Sequence, residues 1–379
     1  MYAVRTTGGF PKQTVLVSGG GIAGPVLAHW LRRHGFAPTV AERAPGRRPG
    51  GQAVDVRGVA LDVVERMGLL EEARSVRTRM RGMSVLGPDG REVHRTTEAT
   101  FSSGRLDSGD VELLREDLVR LVHERTRTEV EYVFGDGVTR LDEDGTGVRV
   151  GFEHGPSRTF DLVVGADGLH SAVRRLAFGP EERFAHHLGS YLSVFSADNF
   201  LGLDDWQMWL QDGESGFGIM PLRDNTELRI AFGFVSAPLG RELADGDGLR
   251  RIVADRLASM RWEGSRLARA ARTAPDFYCD AMAQIRDRWS RGRVALLGDA
   301  GYCPSPLSGQ GTSLALAGAY VLADCLARAG GDHHTAYAAY ERRMRPFVTP
   351  NQALATENPG GPASEESVAH AKNALALDG

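Results

Sequence analysis

The sequence predicts an α/β fold: a Rossmann-like parallel unit, an antiparallel sheet inserted into it, and helices closing the C-terminus. Three observations carry this. A β-branched run, a glycine turn, an apolar helix and a second strand follow one another over residues 14–42, which is a βαβ unit with parallel pairing. Two further continuous apolar runs, 161–165 and 293–297, read as buried strands, and each delivers a glycine and an aspartate. Between them, residues 189–235 alternate strongly and are rich in aromatics, the pattern of an antiparallel sheet.

The bulk properties agree. A chain of 379 residues suits two or three domains. With 42% hydrophobic and 25% charged residues, disorder, collagen and coiled coil are excluded as whole-chain descriptions. A net charge of -4 leaves no basic footprint for nucleic acid. Cys279, Cys303 and Cys325 are too few and too scattered for a disulfide framework or a zinc site. Residues 1–12 lack the apolar stretch of a secretory signal, and Asp324 interrupts the longest apolar run, 313–323. The expectation is a cytoplasmic monomer or homodimer with neither a membrane nor a nucleic-acid partner.

Element by element, residues 14–18 form the first strand. Val26, Leu27, Trp30 and Leu31 place a helix over 22–34, with Pro25 in its first turn and Gly35 stopping it. Residues 38–42 form the second strand, and 58–74 a helix. A hairpin spans 84–94 with Pro88-Asp89-Gly90 as its turn. Residues 111–125 read as helix, and 130–153 as strands turning at Gly135 and Asp144-Gly145. Helical pattern returns over 247–272 and 312–328. After a Pro/Gly break at 358–362 comes a short helix that Ser364 caps, with Glu365 and Glu366 near its positive end. The implied domains are a discontinuous nucleotide-binding unit (1–75, 100–180 and 285–330), an inserted substrate domain (76–99 and 181–284) and a C-terminal helical segment (331–379).

The chemistry begins at Gly19-Gly20-Gly21-Ile22-Ala23-Gly24. Gly19 allows the tight turn, Gly21 lets the backbone approach a pyrophosphate, and Gly24 lets helix pack on strand. Phosphates then meet free N–H groups at the helix N-terminus. Glu42 ends the second strand, where an acid accepts hydrogen bonds from a ribose diol. Asp167 and Asp299 each sit at the C-terminal edge of a parallel strand, where such sheets bind ligands. A ligand able to use both acids is a long dinucleotide, which FAD is.

Three motifs in order, GGGIAG, DLVVGADGLHSAVR and RVALLGDAGYCPSPLSGQGTSLAL, make the chain resemble the FAD-dependent aromatic hydroxylases, the class A flavoprotein monooxygenases of the p-hydroxybenzoate hydroxylase group. The resemblance covers about residues 14–345, and the loop GGQAVDVRG (50–58) makes it most similar to the tetracycline-inactivating and actinobacterial tailoring branch. It implies a glutathione-reductase-type domain holding FAD through Gly19, Gly21, Ile22, Ala23, Gly24, Glu42, Arg43, Arg115, Asp167 and Asp299. It implies further contacts from the loop Pro306, Gly309, Gln310, Gly311 and Thr312, whose N–H groups would face the flavin's N1–C2=O edge. It implies that transient NADPH or NADH reduces the flavin, that O2 adds at C4a, and that the hydroperoxide passes one oxygen to an aromatic or polyketide-type small molecule. No catalytic acid or base and no metal is required. The same branch points Gln207, Trp209, Gly218, Met220 and Arg229 toward the substrate, with Gly218 leaving space for a polycyclic ring.

Two positions depart from the family pattern: the commoner GDAAH reads GDAGY, and the usual Asn is Ser313. Gly50-Gly51 beside Gln52 reads as a mobile wall of the cofactor site. His170 reads as a surface loop residue, Cys303 as a buried filler and Arg47-Arg48 as a solvated pair. Tyr302 is divided between lining the site and packing. A non-hydroxylating flavoprotein of the same fold, a reductase or a redox-sensing FAD binder, stands as the alternative. A halogenase would need a lysine near the flavin, and Lys12 and Lys372 are badly placed for that.

Overall fold

Strand Thr14–Ser18 lies inside a six-stranded sheet, flanked in parallel by Leu162–Gly165 and Ala37–Glu42. Val294–Leu296 and Glu131–Phe134 extend the parallel set outward, and Ser290–Arg291 closes one edge antiparallel. Strands buried on both faces must be apolar throughout, which is why they read as continuous runs. The computed structural model describes residues 12–47, 50–240, 246–358 and 361–378. Residues 1–11, Arg48 and the middle of the 358–362 break lie outside it.

Helix Ala23–Arg33 packs against helix Gly311–Arg328, and both join one core with Val15, Val17, Leu162 and Leu297. Gly24 makes this approach possible. A Cβ there would overlap the Gly19 carbonyl oxygen and lie 3.3 Å from Val17 Cγ1. Gly24→Ala is therefore expected to lower stability by about 3 kcal/mol through overpacking, read as a lower urea midpoint at unchanged slope.

The second sheet runs Tyr278–Ile285, Ala185–Asp198, Glu227–Val235, Ser215–Leu222, Gln207–Asp212, Met83–Leu86, Glu92–Thr96. Helices Gly246–Ser259 and Gly264–Thr273 cover it, burying Leu249, Val253, Leu257 and Leu267 against Phe195, Phe217 and Phe232. The 84–94 hairpin belongs to this sheet although it lies far upstream in sequence: Met83–Leu86 pairs in parallel with Gln207–Leu210.

Several elements differ from the sequence reading. The 58–74 helix is two helices, Val59–Arg66 and Leu70–Ser75, because Gly68 takes φ 72° between them. The predicted 111–125 helix starts as a strand: Val111–Leu114 pairs antiparallel with Ala53–Val56, and Arg115–Thr126 follows as helix. The run VELL is buried at every position, so ladder pairing wins over helical extension. The 247–272 helix is likewise two helices. Helix His333–Glu357 continues through Pro346 and Pro350, held by buried Met344, Phe347, Val348 and Leu354. The final helix is Glu365–Lys372, and the Ser364 hydroxyl accepts the Ser367 N–H at 3.2 Å, as its cap sequence implies.

Candidate active site

A groove of about 820 Å³ opens at the C-terminal ends of the parallel strands. Its floor is the glycine turn. Gly19 takes φ 117°, and a Cβ there would run into the Ala166 carbonyl. Gly20 has no room for a Cβ either, since the Glu42 side chain lies 3.0 Å away. At Gly21 nothing lies within 4 Å, so the backbone faces open groove. Helix Ala23–Arg33 begins there with no side-chain cap, which leaves its first N–H groups for a ligand.

Glu42 is locked toward the groove by accepting the Gly20 and Ala44 N–H groups, each at 2.8 Å. Arg43 and Arg115 line the wall beside it. Asp167 also lines the groove, but its carboxylate is already occupied. It accepts the Ser171 hydroxyl and the N–H groups of Ala172 (2.8 Å) and Val173 (3.1 Å), which anchors the start of helix Ala172–Ala177. Asp299 differs. Its carboxyl faces the groove with only the Cys303 thiol beside it, and the surrounding protein raises its pKa by desolvation. Pro306, Gly309, Gly311 and Thr312 form the opposite wall, and helix Gly311–Arg328 begins without a side-chain cap. Two uncapped helix N-termini thus meet one groove.

The structure brings together Gly19, Gly21, Ile22, Ala23, Glu42, Arg43, Arg115, Asp167, Asp299, Pro306, Gly309, Gly311 and Thr312. Two expected contacts are absent from the lining. Gly24 serves packing, and Gln310 is fully buried behind the wall, with neither amide atom partnered.

The five expected substrate residues lie on the second sheet rather than on the groove. Gln207 is fully buried, accepts the Trp209 indole N–H at 3.0 Å and donates to Ser102 Oγ at 2.6 Å. Trp209 stands edge-on to Phe101 and covers Gly218, its cross-strand partner. The expected space at Gly218 is therefore filled: a Cβ there would meet the indole carbons at 2.7 Å. Gly218→Ala should displace the indole and break its bond to Gln207, seen as a changed near-ultraviolet circular dichroism at unchanged flavin content. Met220 packs with Leu114 and Leu222 against Ala53, behind the groove wall. Arg229 is a clasp: both terminal nitrogens of its guanidinium are engaged, and its Nε is buried without a partner. One nitrogen of its guanidinium donates to the Gly51 carbonyl (2.9 Å) and Asp276 (3.0 Å), the other to Glu227 (2.9 Å). Gly50 N–H in turn donates to Glu116 at 2.6 Å. The wall read as mobile is tied from both sides.

Residues set aside by sequence also find places. His170 lines the groove and bridges Glu181 (2.8 Å) and Asp280 (3.0 Å); these partners raise its pKa to about 10, so it carries a proton at neutral pH. Arg47 lines the groove as well. Tyr302 is fully buried off the groove, packed on Trp289 and bonded to Tyr340. Cys303 is buried, and desolvation pushes its thiol up, away from reactivity. Ser313 accepts the Arg57 N–H at 3.0 Å, fixing the end of strand Ala53–Val56. Asp55 on that strand also lines the groove, and nothing in the sequence beyond its charge marks it. Among the described residues, no group of three or more His, Cys, Asp or Glu side chains is placed to hold a metal, and no helix is long and apolar enough to cross a membrane.

An FAD fits what these residues offer. The open face at Gly21 suits a pyrophosphate, Glu42 a ribose and the Asp299 carboxyl a polyol, while the second uncapped helix suits an anionic ring edge. The sequence profile of the family described as FAD binding domain matches residues 12–353. The chain belongs to that family, the class A flavoprotein monooxygenases. Among its relatives is an uncharacterized protein of Mycobacterium tuberculosis, 51% identical over 92% of this chain and 94% of its own length. A flavin-dependent monooxygenase from an unknown prokaryotic organism is 38% identical, covering 90% of this chain and 88% of that protein. The crystal structure of tetracycline destructase Tet(55) superposes with a TM-score of 0.86 at 34% identity, covering 97% of this chain and 98% of that one. As a member of this family the protein is an FAD-dependent oxidoreductase.

Proposed function

We propose that this monooxygenase uses NAD(P)H and O2 to insert one oxygen atom into an aromatic or polycyclic small molecule of the polyketide type. The observation that carries the reading is the convergence of Gly21, Asp299 and two uncapped helix N-termini on one groove beside an aromatic-rich sheet. Likeness to a tetracycline destructase over almost the whole chain supports the substrate class.

Bound FAD would supply the oxygen activation that no side chain here can provide. The chain's own residues bind and exclude water. N–H groups of Gly21 to Ala23 would hold the pyrophosphate, Glu42 and Arg43 the adenosine end, and Asp299 the ribityl hydroxyls. N–H groups of Gly311 and Thr312 would stabilise negative charge on the ring edge. Arg115 and Asp167 would complete the wall. The stretches 76–99 and 181–284 would form the substrate-facing domain, with the Trp209–Phe101 pair toward the substrate, Gln207 holding the indole from behind and Met220 behind the wall. Because Trp209 fills the space above Gly218, flat ring systems are the expected ligands. No protein acid or base is assigned an obligatory step.

The test is direct. FAD-loaded protein is mixed with NADPH and a panel of tetracyclines and phenolic polyketides. Substrate-stimulated NADPH oxidation, with a product heavier by one oxygen atom, is the expected result. FAD retained without stimulation by any compound would favour a non-hydroxylating flavoprotein, and protein that takes up no FAD would end the proposal.

A further inference from the structure

Asp55 and Glu112 stand directly opposite each other across the ladder joining strands Ala53–Val56 and Val111–Leu114. Both are buried, at 8% and 6% exposure. Like charges facing each other across a ladder repel, and burial adds the cost of desolvating both. One cation lies within reach: Arg57 donates to Asp55 Oδ2 at 2.9 Å and to the Ser102 carbonyl at 2.9 Å. Two buried carboxylates beside one guanidinium leave one negative charge uncompensated, so the cluster binds a proton.

Hydrogen bonding says where that proton resides. Glu112 accepts the Ser102 hydroxyl at 2.6 Å and the Thr78 hydroxyl at 3.1 Å, so both of its oxygens receive donors. Asp55 Oδ1 receives none and is shut from solvent. An oxygen with no donor is the one on which a proton costs least. Burial first, then Glu112, push the Asp55 carboxyl up to about 8, against the opposing pull of Arg57. Other charged groups nearby are already engaged or stand across the groove. Asp110 takes the Gly58 N–H and the Lys372 ammonium, while Arg115, Asp167 and Asp299 line the groove itself. Helix Gly311–Arg328 presents only uncharged Ser313 to this strand. Arg57 sits about 3.8 Å from where a Gly309 side chain would begin, so the cluster adjoins the loop expected to hold the cofactor ring.

We infer that Glu112 is a positioning residue: its charge keeps the groove acid Asp55 protonated, so that the wall beside the anionic cofactor does not carry a second negative charge. The inference rests on the groove being the FAD site, as proposed above. It makes cofactor affinity depend on pH through Asp55, with Glu112 setting where the dependence falls.

The experiment measures the FAD dissociation constant, by recovery of flavin fluorescence on release, from pH 6 to 9.5. Wild-type protein is expected to bind evenly up to about pH 8 and then to weaken by about tenfold, the effect of a new negative charge in the wall of an anionic ligand's groove. Asp55→Asn keeps the position neutral at every pH and should show no such break. Glu112→Gln removes the repulsion, so its break should move to lower pH and leave it weaker than wild type near neutrality. A wild-type curve without a break, or a Glu112→Gln curve breaking where wild type does, overturns the inference. Should Glu112→Gln fail to fold, the contrast between wild type and Asp55→Asn decides alone. FAD held with pH-independent affinity sinks this inference only, whereas wild-type protein that binds no FAD at pH 6 sinks the assignment of the groove.

Discussion

Asp299→Ala is expected to strip FAD from the purified protein, while Asp167→Ala leaves most of it bound. Both acids end parallel strands and both line the groove, yet their hydrogen-bonding capacity is spent differently. Asp167 is saturated by Ser171, Ala172 and Val173. Its removal leaves the Ala172 and Val173 N–H groups without their acceptor, although Ser171 still caps the helix at Arg174, and should cost about 1–2 kcal/mol of stability, read as a lower Tm. Asp299 has the Cys303 thiol alone, and the rest of its capacity points at the groove. Losing one or two charge-assisted bonds to a polyol costs about 2–3 kcal/mol, roughly 30- to 150-fold in affinity. The ratio of flavin to protein absorbance after gel filtration measures both. Equal losses, or a larger loss for Asp167→Ala, would reverse the assignment.

The same contrast shows what the sequence could and could not disclose. Strand, turn and helix over 14–42 were legible because buried parallel strands and a glycine turn leave local patterns. The meeting of Gly21, Asp167 and Asp299 was legible from three motifs in order. Partnerships between distant residues were not. Nothing near Arg229 in sequence announces that Gly51 and Asp276 will take its guanidinium. Gly218 looked like space because the indole filling it comes from the neighbouring strand. The strand Val111–Leu114 looked helical because its ladder partner lies more than fifty residues upstream. His170 is exposed, as its loop position suggests, but the ion pairs it makes with Asp280 and Glu181 come from two other elements and left no sign nearby in sequence. Short-range patterns fix elements, whereas side-chain purpose depends on which elements meet.

Arg229→Ala is expected to do more harm than a lost substrate contact would. The side chain is 4% exposed, and its guanidinium is the cation between Asp276 and Glu227. Ser196 also serves both acids, donating to Glu227 at 3.0 Å and Asp276 at 2.6 Å, but a hydroxyl neutralises neither. Removing the arginine takes away the cation paired with the largely buried Asp276 and leaves Glu227 with Arg223 at 3.9 Å, a loss of about 3 kcal/mol. It also frees the Gly51 carbonyl, so the groove wall is held by the Gly50 bond to Glu116 and the Arg115 N–H on the Gln52 carbonyl. Two consequences should appear together: a Tm lower by roughly 5–10 °C and faster FAD release in stopped-flow displacement. Arg229→Lys should recover part of the stability but little of the wall, because one ammonium cannot reproduce the guanidinium's spread of donors. If Arg229→Ala instead keeps its Tm and its flavin and raises KM alone, the arginine faces the substrate and the clasp has been given the wrong role.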